Sequence, residues 1–220
     1  MMKRICCILA LLLLYSPSLQ AHVISYELDR LPADQVFMRY LVTGYEHIIP
    51  LGLDHILFIL CVFFLNDNLK QVIIQASMFT LAHSITLGLA MYQFITPPVH
   101  IVEPLIALSI VFLAIENMFR SKVKPWRLLM VFIFGLVHGM GFAGALSDLG
   151  MPSYAFATAL ISFNIGVELG QLSIILLMYV LIARTFSQKH WYRKVIVLPS
   201  SLLIAIIAGY WTVERFFFTG

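Results

Sequence analysis

The sequence predicts an all-α protein, a polytopic membrane bundle of six transmembrane helices that follows a cleaved signal peptide. Composition gives the first reason, because 61% of the 220 residues are hydrophobic and the mean hydropathy is +0.94. Only 11% are charged, whereas a soluble domain carries roughly 25%. The second reason is six apolar segments of about the 20 residues that a helix needs to cross a bilayer. Backbone groups in lipid must also be satisfied internally, which favours helices.

Residues 1–21 have the organisation of a secretory signal peptide. Lys3 and Arg4 precede an apolar stretch, which is followed by small and polar residues up to Ala21. An uncleaved first membrane helix is the alternative, but the apolar stretch is short for a span. Cleavage would remove Cys6 and Cys7, so the mature chain would keep one cysteine and no intrachain disulfide.

The six predicted spans lie in one transmembrane domain, residues 48–213, and short polar connections join them. Their ranges are 48–65, 71–94, 99–119, 128–147, 155–183 and 195–213. If the first span starts outside, nine of the twelve basic residues that follow the signal peptide face the cytoplasm. The loops 66–70, 120–127 and 184–194 are therefore predicted to be cytoplasmic. Both mature termini, including the tail 214–220, are predicted to lie outside.

Residues 22–47 form the predicted outer N-terminal segment. Within it, residues 32–44 place Val36, Phe37, Tyr40 and Leu41 at helical spacing. One interpretation is a short helix on the outer membrane surface that leads into the first span. The other is a simple extension of that span.

Polar residues inside the predicted spans are the functional signal. An ionisable side chain near the centre of a membrane helix costs about 2.5–3.5 kcal/mol on insertion scales, so such residues usually serve a function. Five helices contribute three histidines and three carboxylates, namely His55, His83, His138, Asp54, Glu103 and Glu168. His47 precedes Asp54 by seven residues, so a continuous helix would present both on nearly the same face. The supporting polar residues are Thr80, Ser84, Asn117, Asn164 and Gln171.

Imidazole nitrogen and carboxylate oxygen together suit a divalent cation. Zinc, nickel, cobalt or iron fit this donor set, and the lack of thiolate argues against copper(I). The predicted metal ligands are therefore His47, Asp54, His55, His83, Glu103, His138 and Glu168. A proton site, or histidines that only form hydrogen bonds between helices, are the alternatives. The stretch 139–145 is rich in glycine, but it follows no strand, so helix packing is a better interpretation than phosphate binding. No basic run suggests nucleic acid.

Five stretches of the chain resemble the HupE/UreJ family of bacterial membrane proteins, and more closely its divergent second branch. They are "EHIIPLGLDHILFIL", "FTLAHSITL", "VEPLIALSI", "FGLVHGMGFA" and "FNIGVELGQ". The resemblance implies an inner-membrane protein with a signal peptide and about six spans, whose relatives supply nickel to hydrogenase and urease and are regarded as nickel or cobalt permeases. The family's motif residues fall on His47, Asp54, His55, His83, Glu103, His138, Asn164 and Glu168.

Two classes of function follow. In the first, a divalent-cation permease takes nickel or cobalt from the outer face through the intramembrane ligands. In the second, a membrane-embedded hydrolase uses three histidines on zinc, an open coordination position and a carboxylate base. A metal sensor or accessory protein is a third interpretation. The metal ion and the lipid bilayer are the predicted partners, and association with metalloenzyme-maturation proteins or with further copies is left open.

Overall fold

A computed structural model describes residues 31–65, 68–120, 122–149 and 151–218. It contains seven main helices: α1 (Ala33–Ile48), α2 (Leu53–Phe64), α3 (Leu69–Met91), α4 (Val99–Phe119), α5 (Trp126–Leu149), α6 (Phe156–Met178) and α7 (Leu198–Phe217). A π-helical turn, Tyr179–Ala183, continues α6 to Phe186, and another, Arg193–Val197, leads into α7. The described residues contain no strand. The predicted all-α bundle is confirmed, whereas the predicted signal peptide lies outside the described residues.

Among the described residues, five helices are long and apolar enough to cross a membrane: Leu69–Met91, Val99–Phe119, Trp126–Gly144, Phe156–Phe186 and Arg193–Phe217. Helices α1 and α2 together make a sixth candidate, bent by 68°. The fourth helix has the predicted bounds, and the other four long helices lie within a few residues of them. The side of the membrane on which each terminus lies stays a prediction.

The first predicted span is wrong as a continuous helix over 48–65. Helix α1 ends at Ile48, and α2 begins at Leu53. Pro50 explains the break, because proline has no backbone N–H to donate and disfavours helical geometry at the residue before it. Ile49 is accordingly extended, with φ −126° and ψ 114°.

Helix α1 packs lengthwise against α6. Val36, Tyr40 and Ile48 form its buried face at a spacing of four or eight residues. A Cβ on Gly44 would meet the Phe163 carbonyl, so the two backbones nearly touch. This helix is therefore a packed member of the bundle and not a straight extension of α2. Its predicted position at the membrane surface stays a prediction.

A larger side chain at Gly166 should loosen this packing. A Cβ there would meet the Leu41 carbonyl and lie 2.8 Å from the Tyr45 nitrogen. We expect Gly166→Val to lower the free energy of unfolding by about 1–3 kcal/mol, the usual cost of overpacking. Thermal unfolding in detergent measures this change. Gly209→Val is the matched control in α7, because nothing lies within 4 Å of a Cβ at Gly209. Equal losses in both variants would contradict the packing argument.

Glycines also bring α5 close to α3 and α4. A Cβ at Gly139 would meet the His83 carbonyl, and one at Gly141 would lie 2.5 Å from Ile106 Cδ1. The predicted packing role of the glycine-rich stretch is confirmed at these two positions. It does not hold at Gly144, where a Cβ would have nothing within 4 Å. The close approach places His83 of α3 beside the middle of α5.

Candidate metal centre

Three histidines from three helices meet inside the bundle. His47 lies in the last turn of α1, His55 in the first turn of α2 and His83 in α3. One ligand nitrogen from each lies within 4.8 Å of the other two. His55 and His83 are buried, and His47 is partly buried. We call these three residues the histidine cluster.

The nitrogens of the histidine cluster have the character of metal ligands. His47 Nε2, His55 Nε2 and both nitrogens of His83 are buried without a hydrogen-bond partner among the described residues. Buried polar atoms are nearly always hydrogen-bonded, so four unpaired ring nitrogens in one place need an explanation. A neutral imidazole always presents one nitrogen lone pair. A bound cation would use these lone pairs and remove the cost of leaving them unpaired.

The break between α1 and α2 brings two members of the cluster together. The ring centroids of His47 and His55 are 4.6 Å apart. Gly52 permits the tight turn, because a Cβ there would meet the His47 carbonyl. The predicted pairing of His47 with Asp54 on one helix face does not occur, because the helix ends between them.

His138 stands next to the cluster without being part of the closest group. Its ring centroid lies 5.1 Å from that of His55. Its Nε2 is 3.0 Å from Ser109 Oγ of α4, whereas its Nδ1 is buried and unpaired. Ser109 thereby orients the ring, as partners of metal-site histidines usually do. His138 is therefore placed to support the cluster or to serve as a fourth ligand after a small shift.

Aromatic rings close the cluster on other sides. The ring centroid of Phe142 lies 3.8 Å from that of His47, and Phe142 stacks on Phe163 at 5.1 Å. Phe79 contacts His55, with centroids 5.7 Å apart. These apolar walls keep water away from the imidazoles, which strengthens any electrostatic interaction there.

A cavity of about 410 Å³ leads to the cluster. His47, His55 and His138 line it together with Asp54, Glu103, Trp211 and Arg215. Its size falls within the range of small-molecule sites, so a hydrated ion would fit. The cavity is therefore the access route that the structure offers.

Asp54 faces Arg215 across the mouth of this cavity. Its two oxygens lie 3.0 and 3.1 Å from the guanidinium nitrogens. Arg215 also donates to the Glu103 carbonyl at 3.4 Å and lies over the Trp211 ring, 5.4 Å from its centroid. Asp54 and Glu103 are thus near the cluster but outside the closest group of ligands. Asp54 and Glu103 are the two carboxylate residues that line the cavity.

A sequence model of the HupE / UreJ protein family matches residues 25–215. The chain belongs to the HupE/UreJ family. No curated protein and no solved structure matches it. The match extends beyond the five quoted motifs and includes the cavity residues Trp211 and Arg215 of α7. The histidine cluster and the α7 side of the cavity therefore both lie within the residues that the family model matches.

In this HupE/UreJ protein, Glu168 lies outside the histidine cluster. Its oxygens accept hydrogen bonds from Ser77 at 2.5 Å and Thr80 at 2.6 Å. It lines a separate pocket of about 390 Å³ between α3 and α6, with Ser84 and Asn164. Asn164 Oδ1 is buried and has no hydrogen-bond partner among the described residues. The hydrogen bonds explain how α6 carries a carboxylate without placing it at the cluster.

Two of the predicted supporting polar residues form hydrogen bonds away from the histidine cluster in the HupE/UreJ protein. Asn117 donates to the Cys61 carbonyl at 2.9 Å, and Gln171 Oε1 accepts from Thr80 at 3.3 Å. Sequence reasoning missed Ser109 and Arg127, both buried. Ser109 lies within the otherwise apolar stretch 104–114 of α4, and Arg127 looked like an ordinary basic loop residue. The position of a basic residue directly before the predicted span 128–147 was the available signal for Arg127.

Proposed function

We propose that this HupE/UreJ protein is a divalent-cation permease that captures nickel or cobalt at the histidine cluster. One observation carries the proposal: three imidazoles from three helices place ligand nitrogens within 4.8 Å of one another. The cation would enter through the cavity past Asp54 and Glu103, whose carboxylates attract it. Membership of the HupE/UreJ family supports a role in metal supply.

Donor chemistry supports nickel, cobalt or zinc as the cation. Imidazole nitrogen is a good ligand for all three, and soft thiolate would be needed for copper(I). Cys61 does not supply a thiolate to the histidine cluster, because it follows His55 by six residues, about 9 Å along α2. We further propose that the chain lies in the bacterial inner membrane with both mature termini in the periplasm. The distribution of lysine and arginine supports this orientation.

A metal-dependent hydrolase is the second candidate, favoured by the compactness of the cluster. Catalytic zinc sites often have three histidine ligands on one metal and a fourth coordination position that is open to water or substrate. The ligands of a transport channel would instead be expected at several depths along the membrane normal. The cavity would admit a small substrate. Asp54 is the carboxylate next to His55 in sequence, but its ion pair with Arg215 would have to open before it could act as a base. This requirement makes the permease the better supported proposal.

Metal accumulation in cells tests the permease directly. We expect cells that express the full chain to accumulate nickel or cobalt above background, and His83→Ala to abolish this gain, because His83 is fully buried in the cluster. Mass spectrometry gives total cellular metal, and the same method gives the metal content of purified protein. His190→Ala is the matched control, since this histidine is exposed in the loop before α7.

The outcomes separate the candidates. Accumulation that is lost in His83→Ala and kept in His190→Ala supports the permease. Purified protein that holds one metal per chain without cellular accumulation would overturn transport and leave the hydrolase. If neither accumulation nor bound metal is found, both candidates fail.

A further inference from the structure

We propose that Arg127 is the inner gate of this protein, and that metal binding at the histidine cluster opens it through a movement of α2. The inference rests on the proposed function, because a gate has meaning only for a transported ion. The gate is a single guanidinium that ties together four helices. We call its contacts the Arg127 network.

The Arg127 network is fully buried. The side chain of Arg127 is 0% exposed. Its Nε donates to Gln75 Oε1 of α3 at 3.2 Å, and its Nη2 donates to the Cys61 carbonyl of α2 at 2.9 Å. Its Nη1 pairs with Glu116 and lies 3.4 Å from Asn117 Oδ1, both in α4. Each of the three guanidinium nitrogens therefore contacts a neighbouring helix.

The network lies below the histidine cluster, towards the end of the bundle with the basic loops. Cys61 follows His55 by six residues, which is about 9 Å along a helix, and Gln75 precedes His83 by eight residues, about 12 Å. Phe58 and Phe79 fill the level between, with ring centroids 4.6 Å apart and no exposed surface. A cation in the cluster would meet these two rings first and the guanidinium next.

Charge compensation makes this arrangement a barrier to a cation. Glu116 compensates the guanidinium through its short contact, and its other oxygen lies 3.9 Å from Arg120 Nε, too far for a hydrogen bond. A divalent cation that approached the closed network would meet an ion pair with no net charge, so nothing there would offset the large cost of removing the ion from water. If Arg127 withdrew, Glu116 and Asn117 would instead offer oxygen atoms to the cation.

Helix α2 connects the cluster to the gate. It is only 12 residues long and carries His55 in its first turn and Cys61 in its last. The break at 49–52 separates it from α1, so α2 can change position without carrying α1 with it. The Cys61 carbonyl is one of the carbonyls at the helix end that have no partner within the helix, and Arg127 and Asn117 supply one. A displacement of His55 on ion binding would therefore move the Cys61 carbonyl and weaken these two hydrogen bonds.

Cys61 is a natural reporter of the gate. It is buried beside the Arg127 network. Replacement of Cys6 and Cys7 by serine leaves Cys61 as the only thiol in the full chain. In inside-out membrane vesicles, the rate of labelling by a membrane-impermeant maleimide reports exposure of Cys61 to the cytoplasmic side. We expect slow labelling without metal and labelling faster by about tenfold when nickel chloride is enclosed in the vesicles, where the outer cavity opens, which is within the usual range of coupling between sites.

Two variants separate gating from a merely structural role. His55→Ala should abolish the nickel-dependent increase in the labelling rate, because the bound ion would no longer have a ligand on α2. Glu116→Gln should accelerate labelling without nickel, since the guanidinium loses its charged partner. Arg120→Gln is the matched control from the same end of the bundle and should label as slowly as the parent chain. Its side chain is 45% exposed and contacts Glu116 only at 3.9 Å.

Three results would overturn the gate. One is rapid labelling of the parent chain without nickel. Another is an unchanged labelling rate in a preparation that demonstrably binds nickel. The last is slow labelling of a folded Glu116→Gln variant. If nickel does not bind at all, the proposed function fails by itself, and the comparison of Glu116→Gln with Arg120→Gln still decides whether the Arg127 network closes the inner side.

Discussion

Replacement of Arg127 by methionine is expected to lower the free energy of unfolding by about 3–5 kcal/mol, the usual cost of breaking a buried ion pair. Methionine has similar length but no charge and no donor. The change would leave the Glu116 carboxylate buried without its partner and remove a donor from the Cys61 carbonyl. Unpaired buried charges are far more costly than lost packing, so this should be among the most damaging single changes in the chain.

Denaturant unfolding in a mild detergent measures the loss, with helix content as the signal. Arg120→Met is the control, because its partly exposed side chain contributes little, within about 0.5 kcal/mol. The double variant Arg127→Met with Glu116→Gln should be less unstable than the sum of the single variants, since neither partner is then left charged and alone. A loss of less than about 1 kcal/mol in Arg127→Met would contradict a tightly paired network.

Helix positions could be predicted from sequence because apolar length decides them. The range 99–119 matched α4 in full, since polar or proline-rich segments bound it on both sides. The first span failed for a local reason. Its apolar residues continue across Pro50, and hydropathy does not register the missing hydrogen bond that ends α1 at Ile48. A rule that weighed Pro50 above the apolar run would have found the break.

That error carried over to the candidate site. The helical period places His47 and Asp54 on one face only while the helix continues, and the break cancels that relation. The structure instead pairs His47 with His55 and turns Asp54 towards Arg215. Histidines on different helices could be singled out as candidates because the cost of placing them in lipid is visible in the sequence. Which of them meet depends on packing between helices.

The contacts of the Arg127 network could not be predicted from the patterns in the sequence. Arg127 lies in a loop predicted to be cytoplasmic, and Asn117 is predicted only as a supporting polar residue of the metal site. Their hydrogen bonds to the carbonyl of Cys61 link residues 56 and 66 positions apart. No periodic pattern encodes such a pairing, since it arises when three helix ends meet. Small residues such as Gly139 allowed the approach, and their packing role was predictable while their partners were not.

Alanine substitution of His47, His55, His83 or His138 should weaken metal binding to two different extents. His47, His55 and His83 each place a ligand nitrogen within 4.8 Å of the other two. Loss of any one removes a direct metal ligand, so we expect the metal affinity to fall on the order of 100-fold or more. His138 already uses Nε2 towards Ser109, so His138→Ala should cost about 10–100-fold, as for a supporting residue.

Competition titration of purified protein against a coloured chelator, with nickel and with cobalt, gives these affinities. Ser109→Ala provides an independent check, because it should reproduce part of the His138→Ala loss if Ser109 acts by orienting that ring. Circular dichroism of each variant separates lost ligands from lost fold. If His138→Ala weakens binding as much as His55→Ala while Ser109→Ala has no effect, His138 is a direct ligand and the three-histidine site is wrong. The break at Pro50 would then bring His47 to a larger site whose fourth donor comes from α5.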